Sequence, residues 1–111
     1  MDIDFKTAEM GELMNDFKKL VRSFNVHRAK RIRQRLDELK AAPKLADMRT
    51  LPGRCHELKG TKNHTLSLDL DGPYRLILKP SNDPIPLNHD GGLDWNAVTA
   101  ITVQEVRDTH D

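Results

Sequence analysis

Apolar residues in the first part of the chain recur at steps of three and four, as they do along one face of a helix. They form one stripe over residues 7–23, where Thr7 is suited to cap the helix, and a second stripe over roughly 26–42. Asn25 can cap the second helix, and Pro43 bars its continuation. The pattern therefore predicts two amphipathic helices joined by a short break, a helical hairpin whose apolar side needs a partner surface.

The hydrophobic period changes to two in the second half of the chain. Leucines alternate with polar residues over 66–71, an Asp-Gly-Pro turn signal follows, and aliphatic residues alternate again over 74–79, which predicts a β-hairpin. A last strand over 98–106 is apolar on both sides, with Val103 and Val106 on opposite sides by strict alternation. Apolarity on both sides is typical of a central strand.

Alternating residues over 2–6 indicate a short edge strand at the start of the chain. Together these elements predict an α+β fold in which the N-terminal helical hairpin packs on one face of an antiparallel β-sheet. A length of 111 residues predicts one domain over 1–111. The composition, 37% hydrophobic and 32% charged, is polar but globular.

Several classes of protein are excluded or disfavoured by composition. No apolar run approaches the roughly 18 residues of a transmembrane helix, and the N-terminus does not resemble a signal peptide, so we expect a cytoplasmic protein with no membrane partner. The single cysteine, Cys55, rules out an intramolecular disulfide framework and is interpreted as a core residue. No Cys and His spacing typical of zinc is present, and we expect no metal and no cofactor.

The net charge of +1 conceals a basic middle. Residues 26–79 carry thirteen Lys or Arg and six Asp or Glu, whereas residues 80–111 carry one and six. Such a basic segment indicates a surface that binds a polyanion such as nucleic acid. The alternative is a surface of internal salt bridges that binds no partner. The face of the predicted second helix opposite its apolar stripe carries only two acidic residues, Asp37 and Glu38, and six basic ones: Arg28, Lys30, Arg31, Arg33, Arg35 and Lys40. The candidate RNA-binding residues are Arg28, Arg31, Arg35, Arg54 and Lys62.

Strand alternation places Arg75 with respect to the helices. If the hairpin leucines face the helices, Arg75 must lie on the opposite, helix-free face of the sheet, in a shallow basic concavity. The alternative is that Arg75 pairs with Asp69 or Asp71 on that same face.

Three motifs then make the sequence recognisable. Residues 51–60 contain His-Glu-Leu-Lys-Gly, which resembles the His-x-Leu-Lys-Gly segment of HigB-like toxins. Residues 67–78 are similar to that family's Ser-initiated strand, turn and aromatic-Arg-aliphatic strand, and residues 103–110 are similar to its Glu-x-x-Asp-Tyr-His ending, with Thr109 in place of the tyrosine. The chain therefore resembles HigB-like toxins of the RelE superfamily from about residue 30 to residue 110.

This resemblance implies a RelE-like fold with helices on a twisted antiparallel sheet, and the toxin of a type II toxin–antitoxin pair. It also implies a metal-independent endoribonuclease that cuts mRNA on the ribosome and inhibits translation. The implied partners are the ribosome, mRNA and a helix-turn-helix, HigA-like antitoxin, through which alone the toxin would reach operator DNA. Carried over by motif, the catalytic residues are His56, Lys59, Arg75, Asp108 and His110.

The implied reaction needs a base, an acid and cations, because the ribose 2′-OH attacks the adjacent phosphate and the 5′-oxygen leaves. We expect His56 and His110 to move protons, Lys59 and Arg75 to stabilise charge on the phosphate, and Asp108 to orient His110 or a nearby cation. Two alternatives remain. One is a non-catalytic module that binds an antitoxin and co-represses its operon. The other is an interaction domain whose basic helix is only a solvated surface.

Overall fold

The computed structural model describes residues 1–60 and 63–109 and has an α+β architecture. Three α-helices and a 3-10 segment accompany a five-stranded sheet in the order β1-β5-β4-β3-β2. The elements are β1 (Asp2–Phe5), α1 (Ala8–Met14), α2 (Phe17–Ser23), α3 (Val26–Ala41), a 3-10 segment (Leu45–Thr50), β2 (His56–Glu57), β3 (Leu66–Asp69), β4 (Tyr74–Pro80) and β5 (Ala100–Asp108). No helix of the described residues is long and apolar enough to cross a membrane.

The helical region follows the predicted pattern except at one break. Thr7 and Asn25 cap α1 and α3 through their side chains, as predicted. The single helix predicted over 7–23 is instead two helices, because the Asp16 side chain accepts a hydrogen bond from the Lys19 backbone N–H at 3.2 Å and starts a new helix there. The apolar stripe continues across this break, so hydrophobic periodicity alone did not reveal it.

The sheet is mixed rather than antiparallel. β1 pairs with β5 in parallel, from Asp2 opposite Ala100 to Phe5 opposite Val103. A parallel partner requires a long crossover, which the three helices and the β2–β4 strands supply. The other three pairs are antiparallel, and β5 lies between β1 and β4 as a central strand should.

A β-bulge explains why β5 looked apolar on both sides. The register shifts between Ile77 and Leu78 of β4, so that Val106 lies opposite Leu76 while Val103 lies opposite Leu78. Both valines therefore share the face of the buried leucines, and the prediction that they lie on opposite sides is wrong. A bulge inserts one residue into one strand and reverses the alternation beyond it.

The core lies between the helices and one face of the sheet. The hairpin residues Leu66, Leu68, Leu76 and Leu78 are fully buried, as are α3 residues on the inner side of that helix. The predicted packing of the helical hairpin on one face is confirmed. Ile77, on the other face, is also buried but lies outside this core. One face of the sheet therefore packs against the helices in the hydrophobic core, and the other face does not belong to that core.

Candidate functional site

The candidate site lies on the face of the sheet opposite the helices, which we call the outer face. Strand alternation and register place Asp69 of β3 directly opposite Arg75 of β4, and Ser67 opposite Ile77. His56 of the short strand β2 lies opposite Ser67. The predicted placement of Arg75 away from the helices is confirmed, and His56 shares its face.

Asp69 is the centre of this arrangement. Its carboxylate lies 3.0 Å from Arg75 Nε and accepts two hydrogen bonds from Arg54, at 2.5 and 3.2 Å. Partial burial raises the pKa of Asp69, but the hydrogen bond from Arg54 and the positive charges of Arg75, Arg54 and His56 outweigh it, so the pKa lies below its ordinary value. The alternative in which Arg75 pairs with Asp69 is therefore confirmed, and the carboxylate is charged at neutral pH.

Arg75 is also held from its other end. Its Nη1 donates to the carbonyl oxygens of Gly72 and Tyr74, both at 2.8 Å, in the turn that precedes and begins β4. Its side chain is 21% exposed. The guanidinium is thus fixed in one orientation beside a carboxylate, and a phosphate group would bind its remaining N–H groups.

Arg54 and His56 are ordered by the same loop. Arg54 adopts the left-handed backbone conformation, with φ of 49°, which is uncommon outside glycine. Its carbonyl oxygen lies 2.7 Å from His56 Nδ1. Because a carbonyl oxygen can only accept a hydrogen bond, Nδ1 carries the hydrogen, and in the neutral ring Nε2 is then the nitrogen that can accept a proton. The exposed ring of His56 is therefore held in the tautomer of a general base.

The remaining predicted catalytic residues are not brought to this cluster by the described contacts. Lys59 is exposed in the turn after β2. Asp108 lies opposite Tyr74 on β5, one position beyond Arg107, which is opposite Arg75. Alternation therefore places Asp108 on the helix side and not with Arg75. His110 lies outside the described residues.

Position 109 is engaged in the β4–β5 pairing. The backbone N–H and the hydroxyl of Thr109 both donate to the carbonyl oxygen of Pro73, at 2.9 and 2.7 Å. Its short side chain is thus committed to the turn, and it supplies no ring that could stack on a base.

Of the five predicted RNA-binding residues, three are buried or paired within the fold, one lies outside the described residues, and one forms no ion pair. Arg35 is 3% exposed and donates to the Asp69 carbonyl oxygen at 2.7 Å, so the prediction that it lies on the exposed basic face of the helix is wrong. Arg28 pairs with Asp71 at 2.9 Å and lies over the Tyr74 ring. Helical periodicity does not reveal these partners, because they come from the β-hairpin. Arg54 is paired as described above, and Lys62 lies outside the described residues.

Arg31 forms no ion pair with the described residues and is one of a set of such cations in α2 and α3, of which those in α2 were not predicted. Within the described residues, six cations of α2 and α3 form no ion pair. One of them, Lys40, is at the end of α3, and we call the other five the basic face: Lys18, Lys19, Arg22, Lys30 and Arg31. A shallow cavity of about 230 Å³ opens on it beside His27 and Gln34. The signal was available in the sequence, since residues 17–36 contain eight Lys or Arg and no Asp or Glu.

Comparison with known proteins adds no assignment: no family model, no curated protein and no solved structure matches this chain. Among residues 1–60 and 63–109, no three His, Cys, Asp or Glu side chains form a group that could hold a metal ion.

Proposed function

We propose that this protein is an endoribonuclease of the HigB-like toxin kind, which cleaves mRNA on the ribosome and is neutralised by a helix-turn-helix antitoxin. The observation that carries the proposal is the cluster on the outer face, where Arg54, His56 and Arg75 surround Asp69. Two arginines and a histidine in the tautomer of a base form a set suited to bind and cleave a phosphodiester. The three sequence motifs support the same conclusion.

In the proposed reaction, His56 Nε2 takes the proton of a ribose 2′-OH, and the 2′-oxygen attacks the adjacent phosphorus. The bond from phosphorus to the 5′-oxygen breaks, leaving a 2′,3′-cyclic phosphate and a 5′-hydroxyl. Arg75 stabilises the charge that develops on the phosphate oxygens, and Lys59 contributes a second cation by the motif resemblance. The leaving oxygen takes its proton from His110, by the motif resemblance. Asp69 keeps Arg75 oriented before the RNA arrives.

The basic face serves the same proposed function by binding the phosphate backbone of RNA. Unpaired Lys and Arg side chains release counterions when they bind a polyanion, so affinity falls steeply with salt. Replacing Lys30 and Arg31 with Glu should weaken ribosome binding and reduce its salt dependence. Reversal of Lys40, near the end of α3 and outside the basic face, is the control. Unchanged affinity in the double variant would mean that the basic face is only a solvated surface.

The test of catalysis is single-turnover cleavage of ribosome-bound mRNA. Loss of one cation that stabilises a transition state costs about 3 kcal/mol, or on the order of a hundredfold in rate, so we expect Arg75→Ala to lose this much while remaining folded. Arg107→Ala is the matched control, because Arg107 lies opposite Arg75 on the outer face but pairs with Glu105, at 3.1 Å, rather than with Asp69. We expect Thr109→Tyr to cleave at least as fast as the wild type. If Arg75→Ala cleaves as well as the wild type, this site is wrong.

A second candidate function is the non-catalytic module that binds an antitoxin and co-represses its operon. The observation that favours it is the engagement of groups that the reaction needs: Arg75 already contacts three oxygens, Asp108 lies on the helix side, and Thr109 is tied to Pro73. If wild type and Thr109→Tyr both leave ribosome-bound mRNA intact while the protein binds its antitoxin, this second function replaces the first.

A further inference from the structure

The central strand β5 is only half covered on the side of β1. The parallel pairing ends at Phe5 opposite Val103, and the last contact is the Lys6 N–H donating to the Val103 carbonyl oxygen at 2.9 Å. Beyond that point the segment 104–107 has β4 on one side, and no strand of the described chain lies on its other side. This part of the sheet therefore ends in an open edge, a feature that templates strand addition.

The backbone of Val106 faces this open edge. The Thr109 N–H donates to Pro73, so residue 109 directs its backbone groups towards β4. Alternate residues of a strand direct these groups to the same side. Residues 107 and 105 therefore also face β4, and Val106 directs its N–H and carbonyl oxygen outward, where an added strand would meet them.

A groove of about 430 Å³ lies beside the open edge, between α1 and β5. Its walls are mainly apolar, and its size is within the range of binding pockets. The apolar lining comes from Met10, Leu13, Met14, Phe24 and Val106. Because alternate side chains of a strand point to one side, a strand added at this edge would direct every second side chain into the groove.

The rim of the groove is acidic, in contrast to the basic face. Glu9 borders it, and Glu12 is exposed on the same helix, α1, whereas the Glu105 side chain lies on the outer face and pairs with Arg107. Within the described residues, neither Glu9 nor Glu12 forms an ion pair. A segment with positive charges beside its apolar residues fits this rim. A second copy of the chain fits it less well, since two-fold pairing of β5 edges would bring the acidic rims together.

We propose that the open edge and this groove bind an extended segment of a partner protein, which adds to the sheet beside β5. The segment carries apolar residues at alternate positions, which enter the groove, and Lys or Arg at its flanks, which complement the acidic side chains of Glu9 and Glu12 on α1. Backbone hydrogen bonds supply affinity and the groove supplies specificity, as in other strand-addition complexes. The surface is separated from His56 by β4 and β3, so a bound segment leaves the outer-face cluster open. The inference does not depend on the proposed function.

The test uses a synthetic peptide, acetyl-Lys-Val-Thr-Val-Thr-Val-Lys-amide, with the full protein. We expect saturating peptide to slow amide hydrogen exchange of Val106 at least tenfold, measured by NMR. Met10→Arg places a charge in the groove and should weaken peptide binding at least tenfold, whereas Leu87→Arg, at an exposed position outside the groove, should leave it within twofold. A peptide with Glu in place of both Lys should bind at least tenfold more weakly.

A peptide with proline in place of its central Val leaves the protein untouched and should lose binding, which keeps the test valid if Met10→Arg unfolds. Equal binding of the proline peptide, or unchanged exchange at Val106, overturns the proposal. So does a dimer of the wild-type protein that sedimentation detects and that Met10→Arg abolishes, because the occupant of the groove would then be a second copy.

Discussion

Replacing Arg35 with alanine tests the largest difference between helical periodicity and the folded structure. Periodicity assigns this side chain to an exposed basic surface, where its loss should cost little. In the fold, Arg35 is buried, with Nε donating to the Asp69 carbonyl oxygen at 2.7 Å and Nη1 donating to Glu38 at 2.9 Å. It thus joins α3 to the end of β3, at the residue whose carboxylate holds Arg54 and Arg75.

The expected cost follows from these contacts. Hydrogen bonds to a charged group contribute about 1.5–3 kcal/mol each, and removing one partner of a buried ion pair costs about 3–5 kcal/mol. Glu38 is 18% exposed and regains some hydration, so we place Arg35→Ala at about 3 kcal/mol. This is a large share of the roughly 5–15 kcal/mol by which small proteins are stable.

The measurement is urea unfolding followed by circular dichroism and by the fluorescence of Trp95, the single tryptophan, which is buried. Lys30→Ala, at an exposed position of the same helix, is the control and should change the free energy of unfolding by less than about 0.5 kcal/mol. Combining Arg35→Met with Glu38→Leu should recover part of the loss, because no charge is left unpaired. If Arg35→Ala lowers the free energy of unfolding by less than about 1 kcal/mol, the reasoning is refuted, and Arg35 behaves as an exposed residue of the basic surface that helical periodicity predicts.

Three further predictions concern the loop and strand beneath the site. The pKa of Asp69 is lowered in the fold, so its charged carboxylate stabilises the protein at pH values above the unfolded pKa of 3.8. This stabilisation is lost as pH falls through the lower folded pKa. The difference in unfolding free energy between wild type and Asp69→Asn, measured in urea from pH 7 to pH 2, should therefore shrink below about pH 4. A difference that stays constant over that range would contradict the ion-pair role. Gly53→Ala should lower the melting temperature by several degrees, because a Cβ there would lie 2.9 Å from both Arg35 Nε and Leu68 Cδ2, and an unchanged melting temperature would mean that the loop shifts freely. Burial raises the pKa of the Cys55 thiol to about 12, so iodoacetamide at pH 8 should alkylate it at least a hundredfold more slowly in the native protein than in urea, and comparable rates would show that the thiol is accessible.

Much of the local structure could be predicted from the sequence, because it depends on residues close together in the chain. Helix caps at Thr7 and Asn25 use side chains three residues from their partners, and the leucine alternation of the hairpin follows from the two-residue period of a strand. The placement of Arg75 on the outer face followed from that same period. The break at Asp16 is also local, but the apolar stripe continues across it and obscured the second cap.

The candidate site was only partly predictable. Motif resemblance selected His56 and Arg75, and the fold brings them to one face, but it also selected Asp108, which the register of β5 places on the helix side. The bulge in the β4–β5 pairing could not be predicted from the alternation of apolar residues. One inserted residue reverses the face on which every later side chain of that strand lies. The central role of Asp69 was visible only as one of two possible partners for Arg75.

The sequence by itself determined most of the helices and strands, the caps at Thr7 and Asn25 and the leucines that form the core, since these depend on short periods and local hydrogen bonds. Only the tertiary structure decided that β1 joins β5 in parallel, that Arg35 is buried, and that one carboxylate organises two arginines. The physical reason is the distance along the chain. The strand partner of Asp2 is Ala100, and Arg35 meets Asp69 from a helix 34 residues earlier. Contacts between residues so far apart in the chain depend on how the helices pack on the sheet, and the hydrophobic pattern of a short segment does not specify that packing.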